Sequence, residues 1–480
     1  MEQISQSHIT SQLEIDSVRQ RLETLDDVWV RTPNEADYTT FDQAHMQRKL
    51  KNVYETVKLE TNANLSEIEQ AYQASVYFAE QAFSNYQAAP EQALGGKVDR
   101  AFVVPMRSDR YNEDYSSEST PFYPLLDPNR FGVDSDIRMR TIYGLPPTIL
   151  DTYLQSDQPN ESGALVLSTM YADMIPDLRP DKHDHEQNMQ LFRVAQFVLK
   201  ETVEFAHKRL GADVIGLGAI LPKLTNFGKS LRDIDGMENL VTTTGHGGTV
   251  HMIAETVDKI SRETSVDHGG KIGIIGGAGS IGYSSLDVLR ARLPDVDIYT
   301  FDTKRQLLAD KLAARHDKDK LHQMRDAVEV LNNTDVIVSA VTGQIDLDVV
   351  DPDRQLDLSG KVIIDDSQPH YFDMDQVTAR GGKLVWVVGE DGSQSNFVVR
   401  DGLFSGGIPY NYGDKSGLYG SRSEFACGQE AAAIAKFQAY DKAIQGPVDP
   451  ESVRKIGKLC IQAGFKPAPF QTFGQPVHID

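Results

Sequence analysis

"KIGIIGGAGSIGYSSLDVLRARL", residues 271–293, is the stretch that decides the fold. A short apolar run enters a cluster of glycines, and apolar residues then recur every three or four positions. The first part is the pattern of a buried strand and the second that of a helix. Gly277, Gly279 and Gly282 make a G-x-G-x-x-G, and Gly276, Gly279 and Gly282 give a second reading of the same turn. The next strand pattern, "DIYTFD" at 297–302, ends on Asp302, about 20 residues past the glycines. Glycines let backbone N–H groups approach a pyrophosphate closely, and the helix start adds partial positive charge. The spacing therefore predicts a dinucleotide site built from Gly276, Gly277, Gly279, Ser280, Ile281 and Gly282, with Asp302 and Thr303 at the adenosine end. Asp302 would bond a ribose 2′-OH and repel a 2′-phosphate, which favours NADH. Lys304 and Arg305 follow directly and could hold that phosphate instead, which favours NADPH. The plainer alternative is a turn that only packs a helix on a strand.

Working outward, "DVIVSAVTG" (335–343) and "KVIIDDS" (361–367) read as further strands at βαβ spacing, so a Rossmann-type dinucleotide-binding domain is predicted over residues 268–405. Upstream, "SGALVLST" (162–169) and "ADVIGLGAIL" (212–221) are strand patterns. Between them lies a long helical pattern over 186–211, stopped by Gly211. These predict an α/β substrate domain over 100–250, completed by C-terminal helices within 421–480. Residues 1–95 read as a helical extension: 11–25, 43–59 and 65–86 each place apolar residues three and four apart. That extension is expected to serve as an amphipathic bundle or a docking arm for a second copy or a partner. The fold class is thus α/β with an N-terminal helical extension.

Composition narrows the function. The chain has 480 residues and a formal net charge of −22, which argues against nucleic acid, whose phosphates need a basic face. No apolar run approaches the roughly 18 to 20 residues that span a bilayer, so no integral membrane segment is expected. The start, "MEQISQSHITSQLEID", has neither the basic end nor the apolar stretch of a signal peptide, and a cytoplasmic location is expected. Two cysteines, Cys427 and Cys460, cannot build a disulfide framework. "DKHDHE" at 181–186 could suggest metal ligands but reads as a solvated helix cap, and no metal is expected.

Cys427 lies in "SRSEFACGQEAAAIAKF", residues 421–437. Ser421 followed by Glu424 is a capping-box pattern, which predicts a helix from Ser421 with Cys427 in its second turn. The helix start favours a thiolate, whereas Glu424 and Glu430, three residues to either side, oppose one. Local physics leaves open whether Cys427 is a nucleophile or a packing residue. Cys460, in "IGKLCIQAGFKP", has the setting of a structural core residue.

Six segments, taken in order, carry a family resemblance: "GLGAILPKLTNFG" (216–228), "TTTGHGGT" (242–249), "IGIIGGAGSIG" (272–282), "VIIDDSQP" (362–369), "EFACGQEA" (424–431) and "AGFKPAP" (463–469). Together they resemble the long-chain acyl-[acyl-carrier-protein] reductases of cyanobacteria, which make fatty aldehydes, over roughly residues 100–480. The extension at 1–95 is unmatched. The resemblance implies that Cys427 is the nucleophile, that Glu430 is its associated acidic residue, and that Thr243, Thr244 and Gly245 lie beside the thioester and the nicotinamide. It implies NADPH, whereas Asp302 leans to NADH.

The reaction implied is reduction of an acyl thioester to an aldehyde through an acyl-cysteine. His246 and the backbone N–H groups of the "TTTGHGG" turn would stabilise the oxyanion, and His246 could also take the thiol proton. The bland alternative for His246 is a turn histidine facing water. His370 is a weaker candidate for facing the nicotinamide. The acyl group would arrive on acyl carrier protein or coenzyme A; an acidic carrier would need a basic patch, for which "HKRLG" (207–211), Lys223 and Lys229 are available. Two other readings stay open: a non-covalent NAD(P)-dependent dehydrogenase of alcohols or amino acids, and a non-catalytic dinucleotide-binding scaffold.

Overall fold

The computed structural model of the chain describes residues 43–87, 97–106, 123–133, 135–154, 162–172, 185–231, 237, 239–264, 270–367, 371–391, 398–400, 423–472 and 475–479. The helical pattern at 11–25, His370 and most of the 181–186 cluster lie outside these residues.

Two helices open the described chain, α1 (Gln43–Glu60) and α2 (Leu65–Gln87). Met46, Leu50, Val53 and Val57 form one buried stripe on α1, and Ile68, Ala71, Phe78 and Ala79 one on α2. The strands that follow are β1 (Arg100–Met106), β2 (Thr148–Leu154) and β3 (Gly163–Tyr171). Helix α3 (His185–Glu204) winds into a π-turn over Phe205–Arg209, and Gly211, at φ 78°, ends it. Then come β4 (Val214–Leu217), β5 (Val241–Thr243) and α4 (His246–Glu263). The stripes of α1 and α2 share one core with Phe102, Leu125 and Leu167 around this sheet, and Ser75 Oγ accepts the Leu125 N–H at 3.1 Å. The expected docking arm is therefore corrected for these two helices: they cover the chain's own sheet.

The glycine stretch forms β6 (Lys271–Ile275) and α5 (Ser280–Arg292). After it run β7 (Asp297–Phe301), α6 (Arg305–Ala313), β8 (Leu321–Gln323), β9 (Val336–Ser339), β10 (Val362–Asp365) and β11 (Lys383–Trp386). All six strands are parallel in the order β11-β10-β9-β6-β7-β8. That is the 3-2-1-4-5-6 order of a doubly wound dinucleotide-binding sheet, whose ligand crevice opens where the order reverses beside its first strand, here β6.

The last described elements are β12 (Val388–Asp391), β13 (Val398–Arg400), β14 (Ser423–Phe425), α7 (Ala426–Lys436), α8 (Pro450–Ala463) and β15 (Phe465–Pro467). β13 joins the first sheet, whose order is β13-β2-β3-β1-β4-β5. β14 pairs antiparallel with β12, Val388 opposite Phe425, which ties the start of α7 to the far edge of the dinucleotide sheet. Helices α4, α7 and α8 pack between the two sheets and share a core with β6, β9 and β10.

The predicted start of the cysteine helix is corrected. Residues 423–425 are strand and the helix begins at Ala426, so Glu424 is not a capping-box residue and Cys427 lies in the first turn. Pairing with β12 outweighs the local capping signal.

Helices α4 and α7 meet at their N-termini with backbones almost touching. A Cβ on Gly248 would lie 2.5 Å from the Ala426 carbonyl oxygen, which is backbone and cannot swing away. Gly248→Ala should therefore lower stability by about 1–3 kcal/mol, despite the better helix propensity of alanine. Urea unfolding checks this; a neutral or stabilising effect would mean that the helices do not pack so closely.

Candidate active site

The carboxyl ends of the two sheets face each other across a cavity of about 510 Å³. Small-molecule sites fall in this size range. The glycine turn contributes Gly276, Gly279, Ser280 and Ile281 to its wall, and Asp302, Thr303 and Lys304 follow from the end of β7. Opposite stand Thr244, His246 and Cys427, from the starts of α4 and α7. The cysteine and the predicted dinucleotide turn, about 145 residues apart in sequence, thus line one space.

Each part of the turn has a reason. Gly276 has φ 93°, and a Cβ there would lie 2.4 Å from the Ala340 carbonyl oxygen. Gly277 and Gly282 are not cavity-lining; they lie against Thr300 and the Gly276 carbonyl. Asp302 Oδ2 accepts the Ala278 N–H at 2.9 Å and Oδ1 accepts the Lys304 N–H at 2.8 Å, so the carboxylate also braces the turn. Lys311 on α6 donates to the Ala278 carbonyl at 3.0 Å and adds a second cation to this end of the cavity. Arg305 is not among the lining residues.

At the other end, Ser280 Oγ lies 3.3 Å from His246 Nδ1, joining the dinucleotide turn directly to the start of α4. His246 does not face water: it is 9 % exposed, with its ring edge-on to Phe227. Burial, and then the positive charge of Lys223, push its pKa down to about 4, so the ring is neutral at ordinary pH. Lys223 itself reaches across the cleft and donates to Thr342 Oγ1 at 3.2 Å. The loop that carries Lys223 holds Ala219, Asn226 and Phe227 at positive φ, conformations that non-glycine residues rarely adopt.

Cys427 is partly exposed, whereas Cys460 is buried. Its Cβ would sit 2.4 Å from a Cβ on Gly245, which has φ 73°; only glycine lets the turn pass so close.

Glu430 stands behind the wall, fully buried and not among the lining residues. Thr243 Oγ1 donates to its Oε1, and the Gly248 N–H donates to its Oε2 at 2.7 Å. Backbone N–H groups of Gly247 and Gly245 also support it, and burial overrides them all to push its pKa up to about 7. Two expectations change. Glu430 is not among the residues lining the cavity, and the N–H groups of the "TTTGHGG" turn are engaged elsewhere: those of Gly245, Gly247 and Gly248 with Glu430, that of Thr244 with the Ile444 carbonyl at 3.0 Å and that of His246 with Thr244 Oγ1 at 3.4 Å. Thr243 is buried in the same knot, where it also accepts the Ile444 N–H at 3.0 Å.

Sequence reading singled out neither Phe102 nor Trp386, both in the cavity wall, nor Asp365, Asp366 and Tyr371 at the end of β10. The paired acids were signalled in "KVIIDDS", where a short apolar strand ends abruptly on two carboxyls. Among the described residues no group of three His, Cys, Asp or Glu is placed to hold a metal, and no helix is long and apolar enough to cross a membrane.

No family model matches the chain, and no curated protein matches it. Among solved structures it is similar to the crystal structure of L-tryptophan dehydrogenase from Nostoc punctiforme. The identity is 11 %, with 77 % of this chain and 90 % of that chain covered, and the TM-score is 0.26. So loose a match carries no argument about chemistry.

The Glu430 carboxyl sets a signed expectation. Its proton is held more tightly in the folded than in the unfolded chain, so its contribution is fully present below about 4.5 and is lost as pH rises through about 7. Between pH 5 and pH 8 the stability of Glu430→Gln should rise relative to wild type, by at most about 1.4 kcal/mol per pH unit. Urea unfolding of both proteins at several pH values checks it; a constant difference would show an ordinary carboxyl.

Proposed function

We propose that the chain is an NAD(P)H-dependent oxidoreductase that reduces acyl thioesters to aldehydes through an acyl-cysteine on Cys427. The observation that carries this reading is the single cavity shared by Cys427, His246 and the glycine turn. A partly exposed thiol in the first turn of a helix is favoured as thiolate, and the nearest acid on its own helix, Glu430, is turned away into a hydrogen-bonded knot and largely uncharged below about pH 7.

His246, neutral at ordinary pH, can accept the Cys427 proton. With its ring hydrogen on Nδ1 and donated to Ser280, Nε2 is left as the acceptor. The sulfur then attacks the acyl carbon, the bond to the carrier sulfur breaks, and the acyl group rests on Cys427. A nicotinamide dinucleotide, when bound along the glycine turn, supplies the hydride that the acyl carbon needs. Breaking the carbon–sulfur bond to Cys427 releases the aldehyde and restores the cysteine. Backbone N–H groups in the first turn of α7 are suited to the oxyanion, since in α4 those of Gly247 and Gly248 are taken by Glu430 and that of His246 by Thr244 Oγ1.

Asp302 favours NADH, while Lys304 and Lys311 beside it could hold a 2′-phosphate. Acyl carrier protein and coenzyme A both remain candidate carriers.

Incubation with an acyl thioester and no dinucleotide should add the acyl mass to Cys427, and Cys427→Ala should give no adduct and at least a 10³-fold loss of turnover. Intact-mass and peptide-mass measurements check this, with both carriers and with NADH and NADPH in the turnover arm. An unmodified Cys427, together with a Cys427→Ala variant that still turns over, would point instead to a non-covalent dehydrogenase.

A further inference from the structure

We propose that Asp366 is the proton donor to the departing carrier thiol. The inference rests on the thioester-reductase reading above and assigns a residue to a proton that the reaction must take up. Acyl thioester, reduced dinucleotide and one proton give aldehyde, free thiol and oxidised dinucleotide. An alkyl thiolate is a poor leaving group, so its departure is eased when a protein group delivers that proton inside the cavity.

Asp365 closes β10, Asp366 follows it, and both line the cavity that contains Cys427. A dinucleotide laid across the carboxyl ends of a sheet of this order has its adenosine end at β7, where Asp302 stands. Its nicotinamide end then lies on the other side of β6, over β9 and β10. Asp366 therefore belongs to the half of the cavity where the acyl group reacts.

The hydrogen bonds around the two acids differ. Asp365 Oδ1 accepts the Ser367 N–H and Oδ2 the Tyr371 N–H, each at 3.0 Å. The Asp366 backbone N–H donates to the Ser339 carbonyl at 2.9 Å, but its carboxyl has no partner among the described residues. Asp365 is buried and Asp366 half-buried, and two adjacent carboxyls so placed do not ionise equally readily. Burial raises the pKa of Asp365 too, but its donors offset part of that rise, so Asp365 ionises first and Asp366 holds its proton longer. Burial, reinforced by the Asp365 charge, accordingly holds the Asp366 pKa well above the ordinary carboxyl range.

The competing groups are poorer acids for this step. The proton that His246 takes from Cys427 is the one returned to that sulfur when the aldehyde leaves, His246 being otherwise neutral above about pH 4, and the Tyr371 hydroxyl, raised to about 12 by burial, is too weak an acid. In balanced form, the Cys427 sulfur bonds to the acyl carbon as the carbon–sulfur bond to the carrier breaks. The electron pair of that bond goes to the carrier sulfur, which takes the Asp366 proton and leaves as a thiol. Asp366 remains as carboxylate and recovers a proton from water before the next turnover.

Leaving-group dependence tests this without dinucleotide. Acylation of Cys427 is followed by intact mass in wild type and Asp366→Asn, with an alkyl thioester and with a nitrophenyl thioester of the same acyl group. The nitrophenyl thiolate is stable enough to leave unprotonated. Acylation of Asp366→Asn by the alkyl thioester should be slower by about 100-fold, and by the nitrophenyl thioester unchanged within about threefold. Equal slowing with both esters would mean a structural role, and no slowing with either would mean no role; each overturns the proposal while leaving Cys427 as the acyl acceptor. If wild type is acylated by neither ester, the reductase reading itself falls and this inference with it. A melting curve of Asp366→Asn matching wild type, expected for so close an isostere, separates lost chemistry from lost fold.

Discussion

The site is held together by the buried carboxyl of Glu430, which accepts the Thr243 hydroxyl and the Gly248 N–H from across the gap between two helices. A carboxyl with no exposure is costly unless it is hydrogen-bonded, and here the donors are backbone groups left over at the start of α4. The arrangement works only if the two helix starts nearly touch, and glycine at 245, 247 and 248 makes that possible. With α4 and α7 fixed end against end, Cys427 and His246 face the same side, toward the glycine turn on α5. The strand pair β12–β14 sets the same position from the opposite direction.

The electrostatics of the cavity follow from this geometry. Burial, and then the charge of Lys223, keep His246 neutral, which makes it an acceptor and not a standing charge. At the end of β10 the sheet delivers two acids side by side, and unequal access to backbone donors leaves Asp366 the one that holds its proton more tightly. At β7 a single carboxylate, Asp302, braces the glycine turn with two backbone N–H contacts. The two ends of the cavity, at β7 and at β10, therefore differ in chemistry.

Much of this was legible in the sequence because it is local. The glycine turn, its strands and the acidic residue after β7 are fixed by neighbours within about 30 residues, the length of a βαβ unit. The start of α7 was not legible, because Ser423–Phe425 obeys a pairing with β12, more than 30 residues away, and not its own capping pattern. The role of Glu430 was hidden for the same reason: its donors come from positions 182 and 187 residues distant. The helices at 43–87 look like an amphipathic arm because sequence shows an apolar stripe but not what covers it; the stripe is covered by the chain's own first sheet. Asp366 was visible as one of two acids after a strand, yet only the bonds to Asp365 distinguish them.

The central claim is that Cys427 and the dinucleotide occupy one cavity, and competition for that cavity tests it most directly. Alkylation of Cys427 by iodoacetamide, followed by peptide mass with and without saturating reduced dinucleotide, is the measurement. The account predicts that bound dinucleotide slows alkylation of Cys427 by about tenfold or more, since a ligand filling a site of this size excludes the reagent. An alkylation rate at Cys427 unchanged by dinucleotide, under conditions where binding is independently seen, would contradict it.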